Sequence, residues 1–135
     1  MGIKHTSHAR YELWYHVAFS TKYRKHIFTD EKTKTEIENL FREIALQYDM
    51  EIDKIQVMSD HVHISVSAPP RIAPSRAVQI LKSVSTKLLF KQYKFLKKYY
   101  WGGEVWVAGY FIRSVGQGLT KEQINKYIDE QSEEI

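Results

Sequence analysis

Two histidines separated by a single residue, His61 and His63, have the spacing of a candidate metal-binding pair. They lie in the segment 61–67, where apolar residues alternate with histidine and serine as in a half-buried β-strand. Alternate side chains of a strand share a face, so both imidazoles project the same way, with Cα atoms about 6.5 to 7 Å apart. At that separation the two rings can converge on one divalent metal ion. The alternative is a pair of solvated strand histidines, since the chain has 6 histidines in 135 residues.

A second pair of functional groups, Tyr127 and Gln131, is separated by four residues near the C-terminal end of the sequence. In a helix this spacing places both side chains on one face, one turn apart. A tyrosine phenol can attack a phosphodiester to form a covalent phosphotyrosine, and an amide oxygen is a hard metal ligand. The alternative is that Tyr127, with Ile124 and Ile128 beside it, packs the helix onto the domain.

Periodicity in the hydrophobic pattern predicts seven elements of secondary structure. Four segments with strand-like composition are predicted as β-strands: 11–19, 50–58, 61–67 and 104–115. Three segments with helical spacing of apolar residues are predicted as helices: about 30–48, about 75–92 and about 120–133. The first helix follows a candidate N-cap at Thr29 or Asp30, and the last begins with the capping box Thr120 to Gln123.

The element order β-α-β-β-α-β-α predicts an α+β fold. Its first six elements match the ferredoxin-like, or split β-α-β, arrangement, an antiparallel four-stranded sheet with two helices on one face. Because Val62, Ile64 and Val66 would face the helices, His61 and His63 are expected on the open face of the sheet. The C-terminal helix is not needed to close the core and is free to dock on that face or on a partner chain.

Composition limits the class of protein and the chemistry of any site. The length and the absence of linkers or repeats predict a single domain spanning 1–135. No apolar stretch is long enough to span a membrane and no signal core is present at the start, so we expect a cytoplasmic protein without a membrane partner. The chain has no cysteine, so a metal must be held by histidine, carboxylate or amide oxygen.

The charge of the chain favours a polyanionic partner. Its formal net charge is +4 and its pI about 9.2. The segment 87–101 interleaves lysines with aromatic rings, a combination that suits single-stranded nucleic acid, although the rings could equally be core and the lysines a solvated face. Four cations are plausible phosphate contacts: Lys22, Arg24, Lys82 and Lys87.

Together these segments resemble the single-tyrosine HUH transposases of the insertion sequence 200/605 family, where HUH denotes His, a bulky apolar residue and His. The matching segments occur in the family's order and cover nearly the whole chain. They are Ser59–His63, Thr21–Arg24, Gly109–Phe111, Ser114–Gly116, and Tyr127–Ile128 with Gln131.

The resemblance implies a transposase that cleaves and rejoins single-stranded DNA with Tyr127 as nucleophile, through a covalent 5′-phosphotyrosine. It implies a Mg²⁺ or Mn²⁺ ion held by His61, His63 and Gln131. It also implies a homodimer whose active sites are shared between subunits, and DNA hairpins near the ends of a mobile element as substrate.

Two further residues near the candidate site have open assignments. Asp60, next to His61, is a candidate for orienting a ligand histidine, although a loop aspartate is also ordinary turn chemistry. His16, on the predicted first strand, is a candidate general base, because a tyrosine with a pKa near 10 needs help to become a nucleophile.

Two other functions remain compatible with the sequence. RNA-recognition domains share the β-α-β-β-α-β order but stack bases on aromatic side chains of their central strands, where this chain has His61, His63, Ser65 and Ser67. An HUH nickase without a role in transposition would carry the same motifs, and only genomic context would distinguish it.

Overall fold

The computed structural model describes residues 1–115 and 125–126. Six strands are present in this part of the chain: β1 (Lys4–His5), β2 (Arg10–Tyr11), β3 (Trp14–Ser20), β4 (Glu51–Val57), β5 (His61–Ser67) and β6 (Phe111–Val115). The helices are α1 (Glu31–Gln47), α2 (Pro74–Gln92) and the short α3 (Leu96–Tyr99), with a 3-10 turn at Lys22–Arg24.

The main sheet has the strand order β4-β5-β3-β6, and every neighbouring pair is antiparallel. This is the order of the ferredoxin-like fold, so the predicted fold class is confirmed. Val17 and Phe19 of β3 and Ile64 of β5 are buried in one core with Phe41 of α1 and Leu81 of α2. The alternate residues of β3 and β5 therefore lie on the face opposite the helices.

The helices begin where the sequence predicts. Asp30 is the N-cap of α1, and its carboxylate accepts a hydrogen bond from the backbone N–H of Thr33 at 2.7 Å. Pro74 lies in the first turn of α2, where a missing N–H costs nothing. Both helices bury one apolar face, which positions them over the sheet.

The predicted first strand, 11–19, is two strands in the structure. Tyr11 belongs to β2, which pairs with β1 in a small hairpin, and the long strand begins only at Trp14. The Trp14 indole is buried and donates to the carbonyl of Gly2 at 2.8 Å. By alternation Trp14 lies on the open face, so the N-terminal residues cover one end of that face.

The predicted fourth strand, 104–115, is shorter than expected, because β6 covers only 111–115. Val105 and Trp106 are buried, and the Trp106 indole donates to the Ser85 hydroxyl of α2 at 2.9 Å. The ammonium of Lys82, also on α2, donates to the carbonyls of residues 107–109. These tertiary contacts hold the segment 105–109 against α2. Its β-pairing is limited to an isolated antiparallel bridge between Trp106 and Thr21.

The predicted C-terminal helix lies almost wholly outside the described residues. Only Asn125 and Lys126 of that segment are described, and both are helical. Tyr127 and Gln131 are not among the described residues. Within the described ranges, no helix has the length and apolarity required to cross a membrane.

Candidate active site

The two histidines of the H-x-H motif lie on β5, which is a central strand of the sheet. His61 pairs with Ser20 of β3 and His63 pairs with Ala18. Their ring centroids are 5.0 Å apart, and both side chains are half-buried. They share the open face, as the alternation predicts, because Val62 and Ile64 between and beside them fill the core.

His61 is oriented by a carboxylate. Its Nδ1 lies 2.7 Å from Oδ1 of Asp60, and because an ionised carboxylate can only accept, Nδ1 carries the proton. The other carboxylate oxygen of Asp60 accepts two hydrogen bonds from Arg24, at 3.1 and 2.9 Å. The hydrogen bond from His61 and the Arg24 guanidinium lower the pKa of Asp60, so it stays ionised. In the neutral ring this tautomer leaves the lone pair on Nε2, the nitrogen that a metal ion would use.

His63 has a second histidine beside it. Its Nδ1 lies 3.2 Å from Nε2 of His16 on β3. When Nδ1 of His63 donates to His16, Nε2 of His63 is free to bind a metal ion. His16, which the sequence suggests as a candidate general base, is a hydrogen-bonding partner of His63 in the structure.

Burial lowers the pKa of His63, and the neighbouring His61 and His16 lower it further. The folded state therefore disfavours the protonated ring relative to the unfolded state, whose histidine pKa is about 6.5. Stability from this group is fully present above that pKa and declines as pH falls below it. We expect the free energy of unfolding in EDTA to fall between pH 7.5 and 5.5, and urea denaturation will measure it. The free energy of unfolding should depend less steeply on pH in His63→Gln. An unchanged pH dependence would contradict the lowered pKa of His63.

The histidine pair can provide two ligands to a metal ion. Among the described residues, no group of three or more histidines and carboxylates is arranged to hold an ion. Two imidazole nitrogens form a suitable partial donor set for a divalent ion. The predicted third ligand, Gln131, lies outside the described residues. The pair borders an open depression of about 380 Å³, which Tyr110 and Phe111 flank on the β6 side. That depression has room for a phosphate group.

The four cations predicted to contact DNA are in different surroundings. Arg24 lines the depression with the two histidines, and its side chain is 67% exposed although it binds Asp60. Lys22 lies nearby, with its ammonium 5.6 Å from the centre of the Tyr23 ring. Lys82 is engaged by backbone carbonyls, so a DNA contact would be a second role for it. Lys87 is exposed on α2, beside a separate cavity of about 670 Å³.

Comparison with known proteins identifies the family. A family model described as "Transposase IS200 like" matches residues 9–131. The ISDra2 transposase TnpA of Deinococcus radiodurans is 37% identical over 121 residues, covering 90% of this chain and 85% of that protein. The transposase of insertion sequence element IS200 from Salmonella typhimurium is 31% identical over 131 residues, covering 97% of this chain and 84% of that protein.

Solved structures agree with this assignment. The crystal structure of a candidate transposase from Deinococcus radiodurans superposes with a TM-score of 0.73 at 32% identity, covering 95% of this chain and 96% of that one. A REP-associated tyrosine transposase bound to a REP hairpin superposes with a TM-score of 0.50 at 14% identity, covering 96% of this chain and 69% of that one, which is a likeness of fold alone. The open-faced sheet and its histidine pair therefore occur in a chain that belongs to the IS200-like transposase family.

Proposed function

We propose that this transposase cleaves and rejoins single-stranded DNA in a metal-dependent reaction, with Tyr127 as the nucleophile and a covalent 5′-phosphotyrosine as the intermediate. One observation carries the proposal. Two imidazoles, those of His61 and His63, share the open face of the sheet. In each ring Nδ1 contacts a neighbouring side chain, which leaves Nε2 as the nitrogen that could bind a metal ion. A pair of ring nitrogens fixed in this way is prepared to bind an ion.

In this proposal His61 and His63 hold Mg²⁺ or Mn²⁺, and Gln131 is the third ligand. When bound, the ion supplies positive charge beside the non-bridging oxygens of the scissile phosphate. The part that Asp60 plays follows from its contacts, since it fixes the ring of His61 and is itself fixed by Arg24. The donor nitrogens are therefore in position before the substrate arrives.

The chemical step assigned to Tyr127 is an in-line displacement at phosphorus. The phenolic oxygen loses its proton and forms a bond to phosphorus as the bond to the 3′-oxygen breaks. The 3′-oxygen takes up a proton and leaves as a hydroxyl, and the 5′-phosphate stays on the tyrosine. Attack by a 3′-hydroxyl reverses this step and joins a new strand. One phosphodiester replaces another of similar energy, so no nucleotide is consumed, which is consistent with a sequence that has no G-x-x-x-x-G-K-[ST] motif.

We also propose that the substrate is a single strand folded into a hairpin near the ends of a mobile element, and that two copies of the chain share their active sites. Support comes from the family, and from the order of the elements. The sheet with helices α1 and α2 encloses a buried core, so a ferredoxin-like fold does not need a further helix to close it.

The experiment that tests this function is a search for a covalent adduct. The protein is incubated with single-stranded hairpin oligonucleotides from the ends of the element, with Mn²⁺ or with EDTA, and resolved on a denaturing gel. We expect a protein-DNA adduct in the presence of Mn²⁺ and none in EDTA. An adduct of equal yield in EDTA would contradict metal dependence, and free 5′-phosphate ends without any adduct would contradict the phosphotyrosine.

The Asp60→Asn variant is expected to bind Mn²⁺ about 10- to 100-fold more weakly than the wild type, because the loss of a partner that orients a ligand histidine typically has this effect. Isothermal titration with Mn²⁺ measures the change without any cleavage. A suitable control is Asp49→Asn, since Asp49 is also paired with an arginine, Arg71, but is exposed and remote from the histidines. Equal Mn²⁺ affinity in Asp60→Asn and Asp49→Asn would show that Asp60 does not orient His61.

A noncatalytic module of the RNA-recognition type is less consistent with the sheet. The open-face positions of β5 are His61, His63, Ser65 and Ser67, and the one large ring on that face of β3, Trp14, is buried. No described Phe, Tyr or Trp ring on these central strands is available to stack a base from the open face. A nickase with another cellular role remains the alternative within the family, and flanking palindromes in the genome would decide between them.

A further inference from the structure

A group of exposed aromatic rings lies away from the histidine pair. Tyr23 is 70% exposed and Trp101 90% exposed, and the rings of Phe95 and Tyr99 are also on the surface. The rings of Tyr23 and Tyr99 are connected through Tyr100, which is buried: its centroid is 6.4 Å from Tyr23, with the planes 13° apart, and 6.5 Å from Tyr99. Trp101 directly follows Tyr100 in the sequence. Tyr99 in turn lies 6.4 Å from Phe95. We call the four exposed residues, Tyr23, Phe95, Tyr99 and Trp101, the aromatic patch.

Lysine side chains lie beside the rings of the aromatic patch. The ammonium of Lys22 lies 5.6 Å from the ring centre of Tyr23, and that of Lys25 lies 5.1 Å from the ring centre of Tyr99. Lys94, Lys97 and Lys98 are exposed in the same segment. The two stretches that build the patch, 20–28 and 87–103, contain no aspartate or glutamate. A surface of flat rings and cations matches the bases and phosphates of a single nucleic-acid strand.

The backbone at Tyr23 and Arg24 adopts an unfavourable conformation. Tyr23 has φ of 62° and Arg24 has φ of 51°, a conformation that L-residues other than glycine rarely adopt. Arg24 gains its contact with Asp60 from this turn, and the Tyr23 ring stacks on Tyr100 with most of its surface still in solvent. Strain that presents a ring to solvent suggests a ligand for that ring.

The geometry points to the aromatic patch as a binding surface for the single-stranded DNA that flanks the cleavage site, with bases stacked on its rings and phosphates beside its lysines. Arg24 connects the two regions, because it lines the depression of the histidine pair and directly follows Tyr23. A strand that leaves the depression past Arg24 therefore meets the patch next. This assignment rests on the proposed function. Whether the patch binds the DNA on the 5′ side or on the 3′ side of the cleavage site gives the direction in which the strand runs.

Tryptophan fluorescence tests the surface directly. Trp14 and Trp106 are each 2% exposed, so Trp101 is the one tryptophan that solvent quenchers and DNA bases reach readily. In EDTA, a 12-nucleotide oligo(dT) should quench its emission and protect it from acrylamide, whereas a duplex of equal length should not. Trp101→Phe should remove the response. The absence of quenching by oligo(dT), or equal quenching by duplex, would overturn the assignment.

Affinity measurements separate the patch from the hairpin. In EDTA, Tyr99→Ala and Trp101→Ala should each weaken binding of a hairpin with a single-stranded extension about 5- to 100-fold, the range found for base stacking on aromatic residues. Binding of a blunt hairpin should not change. The matched control is Tyr48→Ala, since Tyr48 is partly exposed at the end of α1, outside the patch. Extensions on the 5′ side and on the 3′ side are tested separately, and wild-type affinity for both would overturn the proposal.

Tyr23→Gly distinguishes a binding role from a structural one. Glycine adopts a positive φ without strain, which offsets the loss of the ring contact with Tyr100, so the melting temperature should be little changed. Affinity for the extended hairpin should nevertheless fall. A lower melting temperature together with unchanged affinity would show that Tyr23 is a structural residue.

Failure of this assignment is distinct from failure of the proposed cleavage. If the wild type forms the adduct but the patch variants bind extended hairpins normally, the assignment is wrong and the cleavage reaction stands. If no adduct forms but oligo(dT) still quenches Trp101 and the patch variants lose affinity, the surface binds a single strand and the proposed chemistry is wrong.

Discussion

The Tyr127→Phe variant is expected to form no covalent adduct with hairpin DNA, a loss of at least about 10³-fold, because phenylalanine has no oxygen to bond to phosphorus. Hairpin binding should stay within about twofold of the wild type, because the ring is retained and one hydroxyl is removed. A denaturing gel measures the adduct, and a filter-binding or anisotropy titration in EDTA measures affinity.

A tyrosine close to the histidines provides the control. Tyr110 flanks the same depression and is partly exposed, so Tyr110→Phe removes a phenol near the site without removing the proposed nucleophile. This variant should form the adduct. An adduct that persists in Tyr127→Phe would assign the nucleophile to one of the other 8 of the 9 tyrosines, and Tyr110 would be examined first.

The His61→Ala variant is expected to lose metal-dependent cleavage by at least about 10²-fold, because it removes one of the two ligand nitrogens that the sheet presents. It also leaves Asp60 without one of its hydrogen bonds, although Arg24 still neutralises that carboxylate. Single-turnover cleavage at saturating DNA measures the rate, and titration with Mn²⁺ measures the accompanying loss of metal affinity.

The control for this variant is a histidine outside the site. His26 is exposed and its Nδ1 lies 2.6 Å from the Ser59 hydroxyl, so His26→Ala removes an imidazole from a neighbouring loop and leaves the pair on β5 intact. It should cleave at a rate close to that of the wild type. Cleavage by His61→Ala at the rate of His26→Ala would exclude the histidine pair as the metal site.

The fold could be predicted because local pattern and final structure agree in most elements. The segment 61–67 alternates strictly and forms β5 over the same residues, and helix α1 begins after Asp30, one of its two candidate caps. The predicted strand 104–115 was wrong in its first half. There the β-forming composition is overridden by the hydrogen bond from Trp106 to Ser85 and by the Lys82 ammonium, contacts that no local pattern contains.

The candidate site could be predicted only in part. Alternation places His61 and His63 on one face, and the structure agrees. The side chains that orient them are remote in sequence: Arg24 lies 36 residues from Asp60, and His16 lies 47 residues from His63. Their contacts follow from β3 lying beside β5, which spacing along the chain does not reveal. The roles of Tyr127 and Gln131 remain predictions.

The N-terminal hairpin limits how much nucleic acid the sheet can accommodate. With the Trp14 indole bonded to Gly2, the end of the open face remote from His61 is closed off. In the proposed reaction, a DNA strand would therefore have access mainly to the end of the face that carries the histidines. Its footprint on the sheet would be only a few nucleotides long, so discrimination between target sequences would depend on elements beyond it.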